Sequence, residues 1–135
     1  MVQRFVLFVC THNAGRSQMA AGFLSRLGGD TLIVESAGTA PADALNPAVV
    51  AAMLEAGIDL RDAEPKAVSS DLLAQADVVI TLGVDLGDLV PGSHYIDWDF
   101  PDPAGSRLET VRPIRDAIRR RVLELLHELN TPVAA

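Results

Sequence analysis

The chain has 135 residues, 49% of them apolar and 21% charged, with a formal net charge of −7 and a single cysteine. That length suits one domain, taken as residues 1–135, and that apolar share supports a packed core and argues against disorder. The acidic balance disfavours nucleic acid and anionic membrane as partners, no apolar run nears the about 20 residues of a membrane span, no signal peptide is visible, and one cysteine closes no internal disulfide, so a cytoplasmic protein is expected. One cysteine and three scattered histidines also lack the spacing of a zinc site, so no metal is expected.

Residues 4–9, RFVLFV, are continuously apolar and β-prone, which predicts a strand buried on both faces of a parallel sheet. From Arg16 to Leu27 apolar residues recur at helical spacing, and Gly28-Gly29 ends the helix. TLIVES, 31–36, predicts a second strand, and SAGTAPADAL, 36–45, a loop. Asn46-Pro47 has the form of an N-cap with proline at the first helical position, opening a helix to about Glu55 that Gly57 stops. Ser69 or Ser70 caps a short helix running to Ala76. ADVVITL, 76–82, is the third strand and GVDLGDLVPGS, 83–93, a loop.

HYIDW, 94–98, is the fourth strand, with Trp98 expected at the edge of the core, and DFPDPAG a proline-stiffened loop. Val111, Ile114, Ile118, Val122, Leu125, Leu126 and Leu129 make the apolar stripe of a long last helix. Ten of the eleven basic residues are arginine. The five between Arg112 and Arg121 are expected on a solvated helix face. The order β-α-β-α-α-β-β-α predicts an α/β fold, a mostly parallel sheet with helices on both faces. Ligands of such sheets sit beyond the carboxyl ends of strands, where Cys10 stands.

The stretch Cys10-Thr-His-Asn-Ala-Gly-Arg16-Ser17 is C-x5-R-S between a strand and a helix. Inward amides of Thr11, His12, Asn13, Ala14, Gly15, Arg16 and Ser17, together with the helix N-terminus, suit a tetrahedral oxyanion. Arg16 adds a planar fork matched to two oxygens. Gly15 permits backbone angles that a side chain would obstruct. The same positive field favours Cys10 as a thiolate nucleophile beneath the anion.

This loop, with Arg16-Ser-Gln-Met-Ala20, "ESAGTAPADALNPAVVAAMLEAGIDL", "ADVVITLG", "DWDFPDPAG" and "VRPIRDAIRRRV", resembles the low-molecular-weight protein tyrosine phosphatases and, more closely, the arsenate reductases built on the same fold. The resemblance implies a three-layer sandwich with a four-stranded parallel sheet in the order 2-1-3-4. It implies that Asp102 of Asp102-Pro103 is the general acid, with Asp99 a neighbouring competitor, and that Asn13 and Ser17 support the loop. Tyrosines that flank an aryl phosphate in the phosphatases are replaced here by Ala104-Gly105, which favours a small inorganic anion, arsenate, with phosphate and sulfate as analogues.

Thioredoxin-linked relatives carry two further cysteines after the third strand; TLGVDLGDLVPG has none. The expected electron source is therefore external: a low-molecular-weight thiol such as mycothiol or bacillithiol as co-substrate, with a glutaredoxin-like partner and no bound cofactor. Some arsenate reductases of this fold bind potassium beside the loop through a glutamate where Ala21 stands. Lys66, near Asn13 or Ser36, is expected to supply that positive charge and, with Ser36, to support the loop. His12 either shields the site and meets the incoming thiol or projects outward. Arg107 is a candidate contact for the thiol or redoxin. His94 and His127 carry no expected catalytic role. A phosphatase acting through a phosphocysteine, and a non-catalytic oxyanion sensor, are the alternative functions.

Overall fold

A computed structural model describes residues 3–86 and 94–130. The first strand, β1 (Arg4–Cys10), ends in five consecutive buried residues. Successive side chains of a strand point to opposite faces. Val6, Phe8 and Cys10 join one apolar cluster and Leu7 and Val9 another, so both faces are covered. The larger cluster is closed by α1 (Arg16–Gly28), α2 (Pro47–Glu55) and α4 (Leu108–Asn130); α3 (Ser70–Gln75) covers the opposite face. With β2 (Leu32–Gly38), β3 (Val78–Leu82) and β4 (His94–Trp98), the strands form one parallel sheet in the order β2-β1-β3-β4. The order reverses between β1 and β3, so the carboxyl end of β1 is the switch point where open α/β sheets bind ligands.

The caps follow local chemistry. The Asn46 side chain accepts from the Ala48 amide, leaving Pro47 where its missing N–H costs nothing. Of the two candidate serines, Ser69 is the cap, accepting from the Leu72 amide, and Ser70 is the first residue of α3. The second strand differs from the expected 31–36. Gly29–Thr31 form a turn of 3-10 helix, and pairing continues to Gly38 opposite Cys10. Small residues carry no strand signal, but the backbone of Gly38 also bonds Lys66 and Val68. The third strand starts at Val78 rather than 76, because Ala76 caps α3. The expected loop over 83–93 lies within the described residues only as far as 86.

The arginine-rich stretch is more than a solvated face. Arg112 and Arg115 both grip Glu55, and Arg115 also donates to the Ala52 carbonyl, which ties α4 to α2. Hydrogen bonds from Arg112, then Arg115, hold the Glu55 carboxyl down at about 2. Arg121 stacks 4.8 Å from the Trp98 ring, and that ring is buried against Phe8 and Phe100. Long arginine stems cover apolar surface while their heads find partners, a role charge counting does not foresee.

Candidate functional site

The loop between β1 and α1 is held from outside by the segment that follows β2. The carbonyls of Cys10, Thr11 and His12 accept from the amides of Thr39, Ala40 and Ala42, and that of Ala14 from Asn46, at 2.8–3.1 Å. In a trans peptide the carbonyl and the next N–H point in opposite directions, and no described peptide is cis. Engaging these carbonyls outward therefore turns the amides of residues 11, 12, 13 and 15 toward the inside of the loop, the geometry of an anion nest. Asn13 completes the bend at φ 50, the left-handed conformation asparagine tolerates.

Beneath the loop the sulfur sits in a directed chain of hydrogen bonds. Cys10 is 2% exposed, and its Sγ lies 2.8 Å from Ser17 Oγ. Asn13 Nδ2 donates to that same Oγ at 2.7 Å. The amide orientation of Asn13 is fixed at its other end, where Oδ1 accepts from Gln18 Nε2 and from the backbone N–H of Lys66. With Oγ already accepting from Asn13, the Ser17 proton is free to point at sulfur. A thiolate can only accept, so the chain Lys66–Asn13–Ser17 places a hydroxyl able to donate beside the Cys10 sulfur. Asn13 and Ser17 are fully buried behind the wall, and Thr11 is half-buried beside them.

Arg16, the first residue of α1, is 8% exposed. Its Nη1 donates to the Phe100 carbonyl at 3.4 Å, and its Nη2 lies 3.5 Å from Asp102 Oδ2. Asp102 stays half-exposed, its Oδ1 accepting from the Ala104 amide. The loop bearing it is docked on the anion loop by contacts that the sequence does not announce. The Asn46 side chain donates to the Pro103 carbonyl while its amide holds Ala14. A Cβ on Gly15 would lie 2.8 Å from Pro103 Cγ, so Gly15 serves the close approach of this loop, beyond any freedom of backbone angle. Gly83, at φ +72, lies beneath Arg16, and a Cβ there would sit 2.6 Å from Nη1. Nothing in the local sequence around Gln18, Asn46, Gly83 or Phe100 marks them as parts of the site.

Cys10, His12, Ala14, Gly15, Arg16 and Asp102 line one cavity of about 360 Å³, finished by mostly apolar residues of the 42–47 segment with Asn46 among them, and by Pro103, Ala104 and Gly105. Among the described residues, Asp99 does not line it, and His12 is the only aromatic ring that does. Tyr95 packs on the other face of the sheet, with the Leu7 and Val9 cluster, where burial pushes its phenol up. His12 is exposed at the cavity, with Nδ1 3.2 Å from the Ala40 carbonyl. Lys66 meets Asn13 through its peptide, while its ammonium pairs with Glu35 at 2.9 Å. Ser36 is buried in β2 beside that pair. Among the described residues no group of three His, Cys, Asp or Glu side chains could hold a metal ion, and no helix is long and apolar enough to cross a membrane.

The family described as low molecular weight phosphotyrosine protein phosphatase matches residues 5–135. A Halobacterium salinarum protein, provisionally named an arsenate reductase, is 40% identical over 91% of this chain and 91% of its own length. The thioredoxin-dependent arsenate reductase of Corynebacterium glutamicum superposes with a TM-score of 0.79 at 36% identity. The match covers 95% of this chain and 62% of that longer one. A solved arsenate reductase in the phosphate binding state superposes with a TM-score of 0.82 at 34% identity, covering 93% of this chain and 98% of that one.

Proposed function

The chain belongs to the low molecular weight phosphotyrosine protein phosphatase family, and from that premise we propose that it reduces arsenate to arsenite, using an external small thiol and a glutaredoxin-like protein as the source of electrons. The observation that carries this reading is the arrangement in one cavity of a Cys10 sulfur bonded to the Ser17 hydroxyl, the Arg16 fork and the Asp102 carboxyl. Each has a task in displacement at a tetrahedral oxo-acid. The amides of the loop and Arg16 neutralise the dianion. Cys10 attacks arsenic as a thiolate, and Asp102 protonates the displaced oxygen, which leaves as water. Arg16 and Asp102 face each other before the anion arrives. A dianion takes over the guanidinium and leaves the Asp102 carboxyl to meet a substrate oxygen.

The electrons have to enter from another molecule, since the sequence holds one cysteine. The small thiol displaces Cys10 from arsenic and forms a thiol–arsenate adduct. A redoxin thiol then attacks the adduct sulfur: the sulfur–arsenic bond breaks, its electron pair stays on arsenic, and a mixed disulfide forms as arsenite departs. Two sulfurs are oxidised and arsenic gains two electrons. Room for a co-substrate supports this sequence, because about 360 Å³ lies in the range of small-molecule sites and exceeds what a five-atom oxyanion fills. The want of stacking rings at the wall favours arsenate over an aryl phosphate.

A coupled reduction assay tests the proposal. Arsenate turnover is expected with mycothiol or bacillithiol plus a glutaredoxin-like partner, and little with thioredoxin and its reductase. Equal turnover with thioredoxin alone refutes the external-thiol route. Faster hydrolysis of p-nitrophenyl phosphate than reduction of arsenate, with every thiol supplied, favours the phosphatase reading instead.

A further inference from the structure

Among the described residues His12 is the one aromatic ring at the cavity, and the mechanism above leaves it without a task. Its Nδ1 lies 3.2 Å from the Ala40 carbonyl. A carbonyl only accepts, so Nδ1 carries the proton, and the neutral ring keeps its lone pair on Nε2. The backbone that carries the ring is held on both sides, because the His12 carbonyl accepts from the Ala42 amide and the Thr11 carbonyl from the Ala40 amide. It is exposed, yet lines the same cavity as Cys10.

We propose that His12 is the general base that takes the proton from the incoming small thiol. The inference rests on the thiol-dependent reading above and adds to it the residue that makes the second nucleophile. The thiol S–H bond breaks and its proton passes to Nε2. The sulfur lone pair forms the bond to arsenic as the arsenic–Cys10 bond breaks, and Cys10 leaves as the thiolate that Ser17 already solvates. Arsenic stays pentavalent in this step, and the imidazolium returns its proton to solvent. The other titratable side chains at the cavity are committed elsewhere. Cys10 is the leaving group, Arg16 holds the anion, and Asp102 is the acid of the first step, its Oδ1 accepting from the Ala104 amide. Imidazole is the side chain best matched to proton transfer near neutral pH.

The test compares wild type with His12→Ala and His12→Gln in arsenate turnover across a series of thiols of graded acidity, with the redoxin in excess. Glutamine keeps a donor for the Ala40 carbonyl but cannot take the proton, which separates base from mere placement. With a weakly acidic alkyl thiol both variants are expected to fall roughly 100-fold. With an aryl thiol ionised without help they fall by no more than about threefold, and added imidazole restores part of the alkyl-thiol rate to His12→Ala. An equal loss with both thiols overturns the proposal in favour of a positioning role. No loss overturns it in favour of Asp102 as base. Absence of thiol-dependent turnover in the wild type overturns the external-thiol reading and this inference with it, whereas wild-type turnover without the differential effect overturns this inference alone.

Discussion

Replacing Ser17 by alanine removes one oxygen from the middle of the chain that runs from Asn13 to the sulfur, and its effects separate into two readouts. The Oγ is 2.8 Å from Cys10 Sγ and accepts from Asn13 Nδ2 at 2.7 Å. A hydrogen bond to a charged group contributes about 1.5–3 kcal/mol, and each 1.36 kcal/mol is a factor of ten, so alkylation of Cys10 at neutral pH is expected to slow about 10- to 100-fold. The orphaned Asn13 Nδ2, in a side chain with no exposed surface, costs about 1–3 kcal/mol of stability. At roughly 4 °C per kcal/mol for a domain of this size, the melting point falls by about 4–12 °C. Cys10 is the only thiol in the sequence, so the iodoacetamide mass shift reports it without interference. Asn13→Asp tests the same chain from its far end. A carboxylate accepts the Ser17 proton and draws it away from sulfur, so alkylation slows although Ser17 is intact. Wild-type alkylation rates in a folded Ser17→Ala protein, or in a folded Asn13→Asp protein, would refute the directed chain.

Asp102→Asn is expected to lower turnover by about 100-fold or more, the usual share of a general acid, while phosphate binds as tightly as before or tighter because the carboxylate facing Arg16 is gone. Asp99→Asn, outside the cavity, keeps wild-type turnover, and a reversed result moves the acid to Asp99. Gly83→Ala costs about 1–2 kcal/mol through its positive φ and, by pressing on Arg16 Nη1, weakens phosphate binding about tenfold in calorimetry. Gly57→Ala, also at positive φ but in open space, costs similar stability and leaves affinity unchanged; equal affinity loss in both would contradict the steric account. Glu55, held at about 2 against an ordinary 4.5, contributes stability that is present above the ordinary value and lost as pH falls from there through about 2. The melting-point gap between wild type and Glu55→Gln should therefore be open at pH 6 and close progressively toward pH 2. A gap independent of pH would show that the Arg112 and Arg115 contacts do not act through charge.

The anion loop was legible in the sequence because its parts are neighbours along the chain: a strand too apolar for a half-exposed sheet, a thiol at its end, and a helix starting six residues on. The strand order came from resemblance, since nothing in the apolar runs distinguishes which neighbour each strand pairs with. What escaped were contacts closed over long stretches of chain. Asn46 announced itself as a helix cap and is one, but the same residue also joins Ala14 to Pro103. Gly83 reads as any glycine after a strand until Arg16 is seen lying over it. Gln18 sits in a helix, where a polar residue is expected to face water, and is buried because its side-chain amide donates to Asn13 Oδ1 and to the Glu64 carbonyl. Local charge spacing puts the arginines of α4 on a solvated face, because their partners, Glu55 and Trp98, lie far away in sequence.

The most direct measurement is the structure of the protein with arsenate, or sulfate in its place. A tetrahedral anion is expected in the ring of residues 11–17, its central atom bonded to Cys10 Sγ or within about 3.5 Å of it, with two oxygens on the Arg16 fork and Asp102 swung onto a third. An anion seated elsewhere, with Cys10 still covered and Arg16 still turned to Asp102 at saturating concentration, would contradict the account.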